Sequence, residues 1–325
     1  MNNDTDRQNL NSAILVAIGL ALLILLTFVI LFSINKNSNR RIDELKSNVV
    51  IKKRNPFDKI EIEAQAAIVW DIKNNRAIFE RKSTKELPLA SLTKLVTIAV
   101  ALESAPDYTT IPINNYALAA EGDTGLISGE KWNMRELAKM ILVSSSNDGA
   151  RAIAGAVGSI INDGQTELTV GNKQNEQIFV DQMNVFSAKI GLRESHFKNE
   201  HGLDLSKEEI GASGSARDVA VLFSYLLKNH PDILESTSVS ETVLHSSEGL
   251  AHPLKNTNPA LVLLPGLLAS KTGFTDLAGG NVAVVVSPGL EGPFAMVVLG
   301  SSYEGRFSDL QKLSDTTLEY LEKNR

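Results

Sequence analysis

Apolar and polar positions divide the chain into unlike stretches. From Ala13 to Phe32, twenty consecutive residues carry no charge, and only Gly19 and Thr27 interrupt an apolar surface on every side. Such a run makes a helix of about 30 Å at ~1.5 Å per residue, whereas a soluble core helix would show a polar face. We therefore expect a transmembrane helix at 13–32, behind a short tail at 1–12. A cleaved signal peptide fits less well: its apolar core would be shorter, and no small-residue cleavage site follows in Ser33-Ile34-Asn35-Lys36. Residues 33–56 are polar and basic, so 33–59 reads as a juxtamembrane linker along the membrane surface.

The remainder, 60–325, reads as one folded domain. Ala66–Asp71 and Ala77–Glu80 flank the polar Lys73–Arg76 and predict a β-hairpin. After Pro88 the period changes: Leu95, Ile98, Ala99 and Leu102 recur at spacings of three and four, which predicts a helix with one buried stripe. Helical periodicity continues at Met134–Val157, at Asn175–Ile190 and at Ala216–Lys228. In the second of these, Phe179, Met183, Phe186 and Ile190 form an ordinary core stripe. Strands return at Leu267–Thr272, Asn281–Val286 and Phe294–Leu299, and a helix over about Ser308–Glu322 closes the chain. Strands at both ends with helices between them indicate an α/β (α+β) fold whose sheet joins early and late segments. There is no internal repeat and no low-complexity tract.

Charge sharpens this division. Of 325 residues 43% are hydrophobic and 22% charged, with a net charge of −6. Residues 1–54 hold eight Lys/Arg against four Asp/Glu, which leaves 24 against 34 in the body, a net of −10 there. An acidic body lacks the basic footprint that phosphate backbones require, so no nucleic-acid partner is expected. The absence of cysteine excludes disulfides, thiolate metal sites and a cysteine nucleophile. Five histidines, His196, His201, His230, His245 and His252, lack zinc-protease spacing and are expected on the surface or in loops, and no Gly-x-Ser-x-Gly elbow or phosphate loop occurs. No metal or cofactor is implied. Lys36, Arg40, Arg41 and Lys46 follow the apolar run and only Arg7 precedes it, a bias that taken alone puts the body in the cytoplasm.

Three short segments carry candidate chemistry. Ser91-Leu92-Thr93-Lys94 opens the first predicted helix of the body, so a hydroxyl and an amine three residues apart share one face. The amine could act as base once burial or a neighbouring cation makes part of it neutral, and the helix start offers N–H groups to an oxyanion. An N-cap serine has the same local signature, and Ser33–Lys36 repeats the spacing at the end of the apolar run. Ser145-Ser146-Asn147 lies among small polar residues that interrupt helical periodicity, as an inter-helix loop or as the edge of a cleft. Lys271-Thr272-Gly273 ends an apolar strand; alternation sends Lys271 and Thr272 to opposite faces unless the strand twists, and Gly273 permits close approach to the backbone.

Taken together, in the order Ser-x-x-Lys, Ser-x-Asn, Lys-Thr-Gly, these segments resemble the motif set of penicillin-binding proteins and serine β-lactamases. The surrounding residues resemble the D-alanyl-D-alanine carboxypeptidases, the low-molecular-mass penicillin-binding proteins. They are Leu87–Lys94, Ser145–Asp148, Met183-Asn184, Phe197–Asn199, His201–Asp204, Ser215–Asp218 and Lys271–Thr275 with Ala278-Gly279, a likeness that covers about residues 62–320. It implies an antiparallel sheet flanked by helices plus an all-helical subdomain. Ser159–Gln174 looks like an insertion, and the β-rich second domain and terminal anchor common in that family are not seen, which would leave anchoring to the apolar run.

The resemblance also implies roles. Ser91 would attack the carbonyl between the two terminal D-alanines of a peptidoglycan stem peptide, Lys94 would take its proton, and Ser145 would pass a proton to the departing D-alanine. Backbone N–H groups of Ser91 and Phe274 would hold the oxyanion, and Asn147 the substrate amide. Lys271 would keep Lys94 partly neutral, Thr272 would bind the terminal carboxylate beside Gly273, and Arg306 stands where the family places a carboxylate-binding arginine. β-Lactam antibiotics would acylate Ser91, and the domain would face outward, against the charge bias. A β-lactamase, an endopeptidase or transpeptidase of the same fold, or a silent wall-binding protein remain alternatives.

Overall fold

The computed structural model describes residues 3–48, 55–122, 124–164, 168, 170–289 and 291–324. The chain forms two units, Met1–Arg54 and Asn55–Arg325. In the first, a single helix α1 (Asn3–Asn48) contains an apolar span, Ile14–Ser38, of mean hydropathy 3.2 with none of it buried. The helix does not stop where a linker was expected at 33–59 but continues to Asn48. The polar run from Ser33 to Asn48 contains no Gly or Pro, so nothing in it terminates a helix already nucleated upstream. The rest of the expected linker, 49–54, lies outside the described residues.

The second unit opens on Asn55, whose side chain accepts the Phe57 N–H and caps a 3₁₀ turn at Pro56–Lys59. Phe57 stacks on Phe79 with ring centroids 5.1 Å apart, which secures the chain a few residues before Ile60. The expected hairpin is β1 (Ala66–Asp71) and β2 (Arg76–Arg81). Then follow β3 (Leu87–Pro88), α2 (Thr93–Ser104), β4 (Thr110–Pro112), β5 (Lys131–Asn133), α3 (Met134–Ser144), α4 (Asn147–Asp163) and α5 (Lys173–Ile190). Next come β6 (His196–Phe197), β7 (Ala212–Gly214), α6 (Ala216–Asn229), α7 (Pro231–Glu235), β8 (Glu241–His245) and β9 (Ala251–Lys255). The chain closes with β10 (Leu267–Thr275), β11 (Gly279–Val286), β12 (Phe294–Ser301) and α8 (Gly305–Asn324). The supposed insertion at 159–174 holds the last turn of α4 and the start of α5, and 165–167 and 169 within it are outside the described residues.

The main sheet has the order β10-β11-β12-β1-β2 with every neighbour antiparallel, so the first hairpin pairs with the last strand: Ile68 lies opposite Val297 and Val69 opposite Met296. Alternation gives the sheet two apolar faces. Ala67, Val69, Val282, Val284, Met296 and Val298 pack with Leu310 and Leu313 of α8. Ile68, Ala283, Val285, Val297 and Leu299 join the larger core formed with α2 to α6. Helix α2 is buried all round from Thr93 to Leu102 rather than along the single stripe its spacing predicts, because it is covered by other elements on every side, and Lys94 and Thr97 are buried with it.

Candidate active site

Ser91 lies on a short 3₁₀ turn, Ala90–Leu92, that feeds into α2. The residue before it, Ala90, has φ 49°, a left-handed conformation that costs a non-glycine residue of order 1 kcal/mol. Two glycines hold that turn from outside. A Cβ on Gly202 would lie 2.0 Å from the Ala90 carbonyl oxygen, and one on Gly273 would lie 3.0 Å from both Leu89 O and Ser91 N. Backbone therefore presses on the turn from the 198–205 loop and from β10, with no room for side chains. Asn281 adds a third brace, its Nδ2 donating to Pro88 O (2.9 Å).

Lys94, one helical turn on, donates to Ser91 Oγ (2.8 Å) and to the backbone carbonyl of His201 (2.8 Å). Its side chain is fully buried, and burial lowers its pKa from 10.5 to about 7, against a smaller upward pull from the Glu200 carboxylate. An amine in that state is partly neutral at physiological pH and adjoins a hydroxyl, the arrangement a general base requires. The dominant cause is desolvation of Lys94 rather than repulsion from Lys271.

Ser145 is the C-cap of α3, at φ 63° and ψ 33°, and Ser146 caps α4 by accepting the Gly149 N–H (2.9 Å). The helical break expected at this point is thus a left-handed kink between two helices. Across from it, Lys271 Nζ donates to Ser145 Oγ (2.9 Å) and to Thr272 O (2.7 Å). Lys271 is also buried, and its pKa falls well below 10.5 through desolvation first, then through Lys94 and Arg306. The Thr272 hydroxyl pairs with Thr257 Oγ1 (2.6 Å), so neighbouring strand residues serve different partners. Asn147 Nδ2 donates to Glu121 O (2.6 Å), while its Oδ1 is buried with no partner.

Arg306 is 4% exposed, donates from Nη1 to Gly273 O (2.7 Å) and lies against the rings of Tyr303 (4.4 Å) and Phe307 (4.6 Å). Its Nε is buried without a partner. Phe274 is 44% exposed and meets Tyr303 edge-on, with centroids 5.1 Å apart. Direct bonds thus link Ser91 to Lys94, Ser145 to Lys271, and Arg306 to Gly273, and Gly273 abuts the Ser91 turn.

Sequence reasoning had assigned no role to Thr257, Glu200 or the His201 carbonyl. Nor are all histidines superficial: His201 and His252 are both 6% exposed. His252 is buried because it pairs with Glu130 (Nε2 to Oε2, 3.0 Å) and packs on Trp132. The His201 ring accepts the Leu203 N–H at Nδ1 (3.1 Å), and burial depresses its pKa to about 3, so it is neutral. The only local signal for His201 was its place in the His201–Asp204 stretch, and Glu200 had none beyond lying between that stretch and Phe197–Asn199.

The model of the family described as D-alanyl-D-alanine carboxypeptidase matches residues 50–302, which hold every side chain just described except Tyr303, Arg306 and Phe307. The chain belongs to this family. Curated relatives include the D-alanyl-D-alanine carboxypeptidases DacF of Bacillus subtilis, 27% identical over 78% of this chain and 61% of its own length, and DacC of Escherichia coli, 26% identical over 78% and 60%. The chain thus spans about six-tenths of the length of the curated relatives it matches. Among solved structures, penicillin-binding protein D2 of Listeria monocytogenes in its ampicillin-bound form is 26% identical with TM-score 0.62, over 80% of this chain and 99% of that one. A D-alanyl-D-alanine carboxypeptidase from Mycobacterium tuberculosis shares the fold at 23% identity, with TM-score 0.67 over 80% and 92%.

Proposed function

We propose that this protein is a serine-type D-alanyl-D-alanine carboxypeptidase that removes the terminal D-alanine from peptidoglycan stem peptides and is acylated by β-lactams. One observation carries the reading: a fully buried lysine with pKa about 7 lies 2.8 Å from the hydroxyl of Ser91. Membership in the family supplies the substrate class. The same pair would serve a β-lactamase in the first step, so the rate at which the acyl-enzyme is lost separates the two activities.

In this mechanism Ser91 Oγ attacks the carbonyl carbon between the two D-alanines as its proton passes to Lys94 Nζ. Backbone N–H groups of Ser91 and Phe274 receive the oxyanion, a contact worth about 3 kcal/mol per donor in studied hydrolases. The C–N bond then breaks, and the departing amine takes up the proton through Ser145, whose hydroxyl Lys271 orients. Water hydrolyses the ester and restores Ser91. Asn147 binds the substrate amide. The terminal carboxylate meets Thr272, the positive potential of Lys271 and the unpaired Nε of Arg306, while Arg306 Nη1 fixes the Gly273 carbonyl.

Helix α1 anchors the protein in the membrane, with the catalytic unit outside the cytoplasm, where its substrate is. The basic flank at Lys36–Lys46 opposes this orientation, but long domains translocate largely regardless of charge. Incubation with a labelled penicillin followed by intact mass tests the chemistry: we expect a slowly lost adduct on Ser91 that is absent in Ser91→Ala. Rapid drug hydrolysis would instead identify a β-lactamase. Protease added to intact cells should remove the catalytic unit, and complete protection would reverse the orientation.

A further inference from the structure

Close to the catalytic lysine lie two charged residues of opposite sign, Glu200 and Arg151, to which the mechanism gives no step. Glu200, on the 198–205 loop, is 5% exposed. Arg151 is near the start of α4, four residues after Asn147 and so on the same helical face, with its side chain 22% exposed. Two successive carbonyls fasten the loop to α2: that of Glu200 accepts the Thr97 hydroxyl, and that of His201 accepts Lys94 Nζ (2.8 Å). The Glu200 side chain thus leaves the backbone one residue from the carbonyl that holds the amine.

The carboxylate has two N–H neighbours. Its Oε1 lies 3.6 Å from Arg151 Nε and 3.5 Å from His201 Nε2. His201 Nδ1 accepts the Leu203 N–H (3.1 Å) and the ring is neutral, so its proton is on Nε2 and faces the carboxylate. The ring supplies a dipole there and Arg151 a full charge. Both contacts are longer than hydrogen bonds and act through charge, which is little screened away from water.

Other charged groups surround the pair. Lys271, on β10, is a cation that works against a charge on Lys94, and Glu176, on α5, works against one on Glu200. Glu121, Lys173 and Lys198 border the same cavity as Glu200 but are exposed, where water screens them, and half-buried Asp204 accepts the Leu277 N–H (3.2 Å). Glu200 is therefore the buried anion that acts on Lys94. Burial pushes its own carboxyl up, and the Arg151 guanidinium opposes this.

We infer that Glu200, kept ionised by Arg151, is a positioning residue for the base: its carboxylate holds Lys94 basic enough to take the proton of Ser91. Burial alone would give an amine that is neutral but a weak base; the carboxylate offsets part of that loss, so availability and strength meet near neutral pH. Arg151 acts at one remove, through Glu200. The inference rests on the carboxypeptidase reading, in which Lys94 is the base, and adds the pair that sets its pH range.

The test is the pH dependence of penicillin acylation of Ser91 in the full chain, read by intact mass. Its midpoint reports the charge on Lys94 whatever fraction of a preparation is folded. Glu200→Gln should move the midpoint down by about one pH unit and lower the plateau, and Glu200→Asp, which keeps the charge, should return it most of the way. Arg151→Met should move it in the same direction, because the carboxyl then takes up a proton, and Arg151→Lys should restore it. The two changes combined should shift it no further down than Glu200→Gln alone. An unmoved midpoint in Glu200→Gln would leave Glu200 a structural role and overturn the inference; if that variant also lost its adduct more slowly, Glu200 would belong to ester hydrolysis instead. An unmoved or raised midpoint in Arg151→Met overturns it too, since the carboxylate would then keep its charge without the guanidinium. In all these cases acylation of Ser91 stands. No adduct on the wild type at any pH overturns the proposed chemistry and this inference with it.

Discussion

Of the chain's four Ser-x-x-Lys spacings two lie in helical surroundings, Ser33–Lys36 and Ser91–Lys94, and only the second buries its lysine. Ser33 and Lys36 lie on α1 with both side chains exposed. Ser91 lies on the 3₁₀ turn that leads into α2, and Lys94 lies in the first turn of α2 at 0% exposure. Spacing by three puts a hydroxyl and an amine side by side on any helix, so proximity alone distinguishes nothing. What separates the copies is water. At Lys94 the ammonium has lost its hydration, and the neutral amine becomes accessible near physiological pH. Within their own unit, Ser33 and Lys36 are both exposed.

The largest effect that would sharpen this contrast is removal of the nucleophile. Ser91→Ala should lower D-alanine release by at least ~10⁴-fold, whereas Ser33→Ala should leave it within twofold; comparable losses in both would break the comparison. Removing the base comes next. Lys94→Met should cost about 10³-fold in acylation rate, measured with a chromogenic β-lactam.

The same variant should gain stability, with a definite pH dependence. The folded pKa of Lys94, about 7, lies below its free value of 10.5, so between these pH values the unfolded chain holds a proton that the folded protein does not. Stability therefore rises with pH through that window, and the cost of the buried charge is fully felt below pH 7. Lys94→Met should be more stable than wild type by about 3 kcal/mol at pH 6, allowing for the lost hydrogen bonds, and the gap should close towards pH 10. Denaturant unfolding at the two pH values checks this; a gap that widens with pH would mean that the amine is not desolvated. A smaller effect is expected at the glycine behind the nucleophile. Gly273→Ala puts a methyl 3.0 Å from Ser91 N and Leu89 O, and should slow acylation by about tenfold with a loss of about 1 kcal/mol in stability.

The contrast also marks what a linear reading can deliver. Local period was enough for α5 and α6, which each bury one stripe, while β1, α2 and β10 to β12 were legible as apolar runs because they are buried nearly throughout. The kink at Ser145 was legible because four small polar residues compete there for backbone hydrogen bonds. The motif order singled out Ser91, Lys94, Ser145 and Lys271, and the fold pairs Ser91 with Lys94 and Ser145 with Lys271. Elements whose boundaries depend on what fails to stop them were misjudged: α1 runs on to Asn48 because its polar half contains no breaker, and α8 starts at Gly305. The short β4–β5 and β8–β9 pairs lacked a pattern long enough to register.

Roles that depend on a partner far along the chain were out of reach. The His201 carbonyl that holds Lys94 belongs to a residue 107 positions away, and backbone groups leave no compositional trace. Arg306 was singled out by position, but its bond to Gly273 O and its place between two rings could not be read from Gly305-Arg306-Phe307. His252 was expected near the surface because nothing local announces Glu130, its buried partner.

The claim at the centre, that burial turns Lys94 into the base for Ser91, is tested most directly by the pH dependence of penicillin acylation, followed as the second-order rate of adduct formation on Ser91. The rate should climb as pH rises and level off above a midpoint near 7, where the amine of Lys94 gives up its proton. A midpoint above 9, close to that of an ordinary lysine, would show that the amine keeps its charge in the folded protein and that Ser91 is activated by some other group.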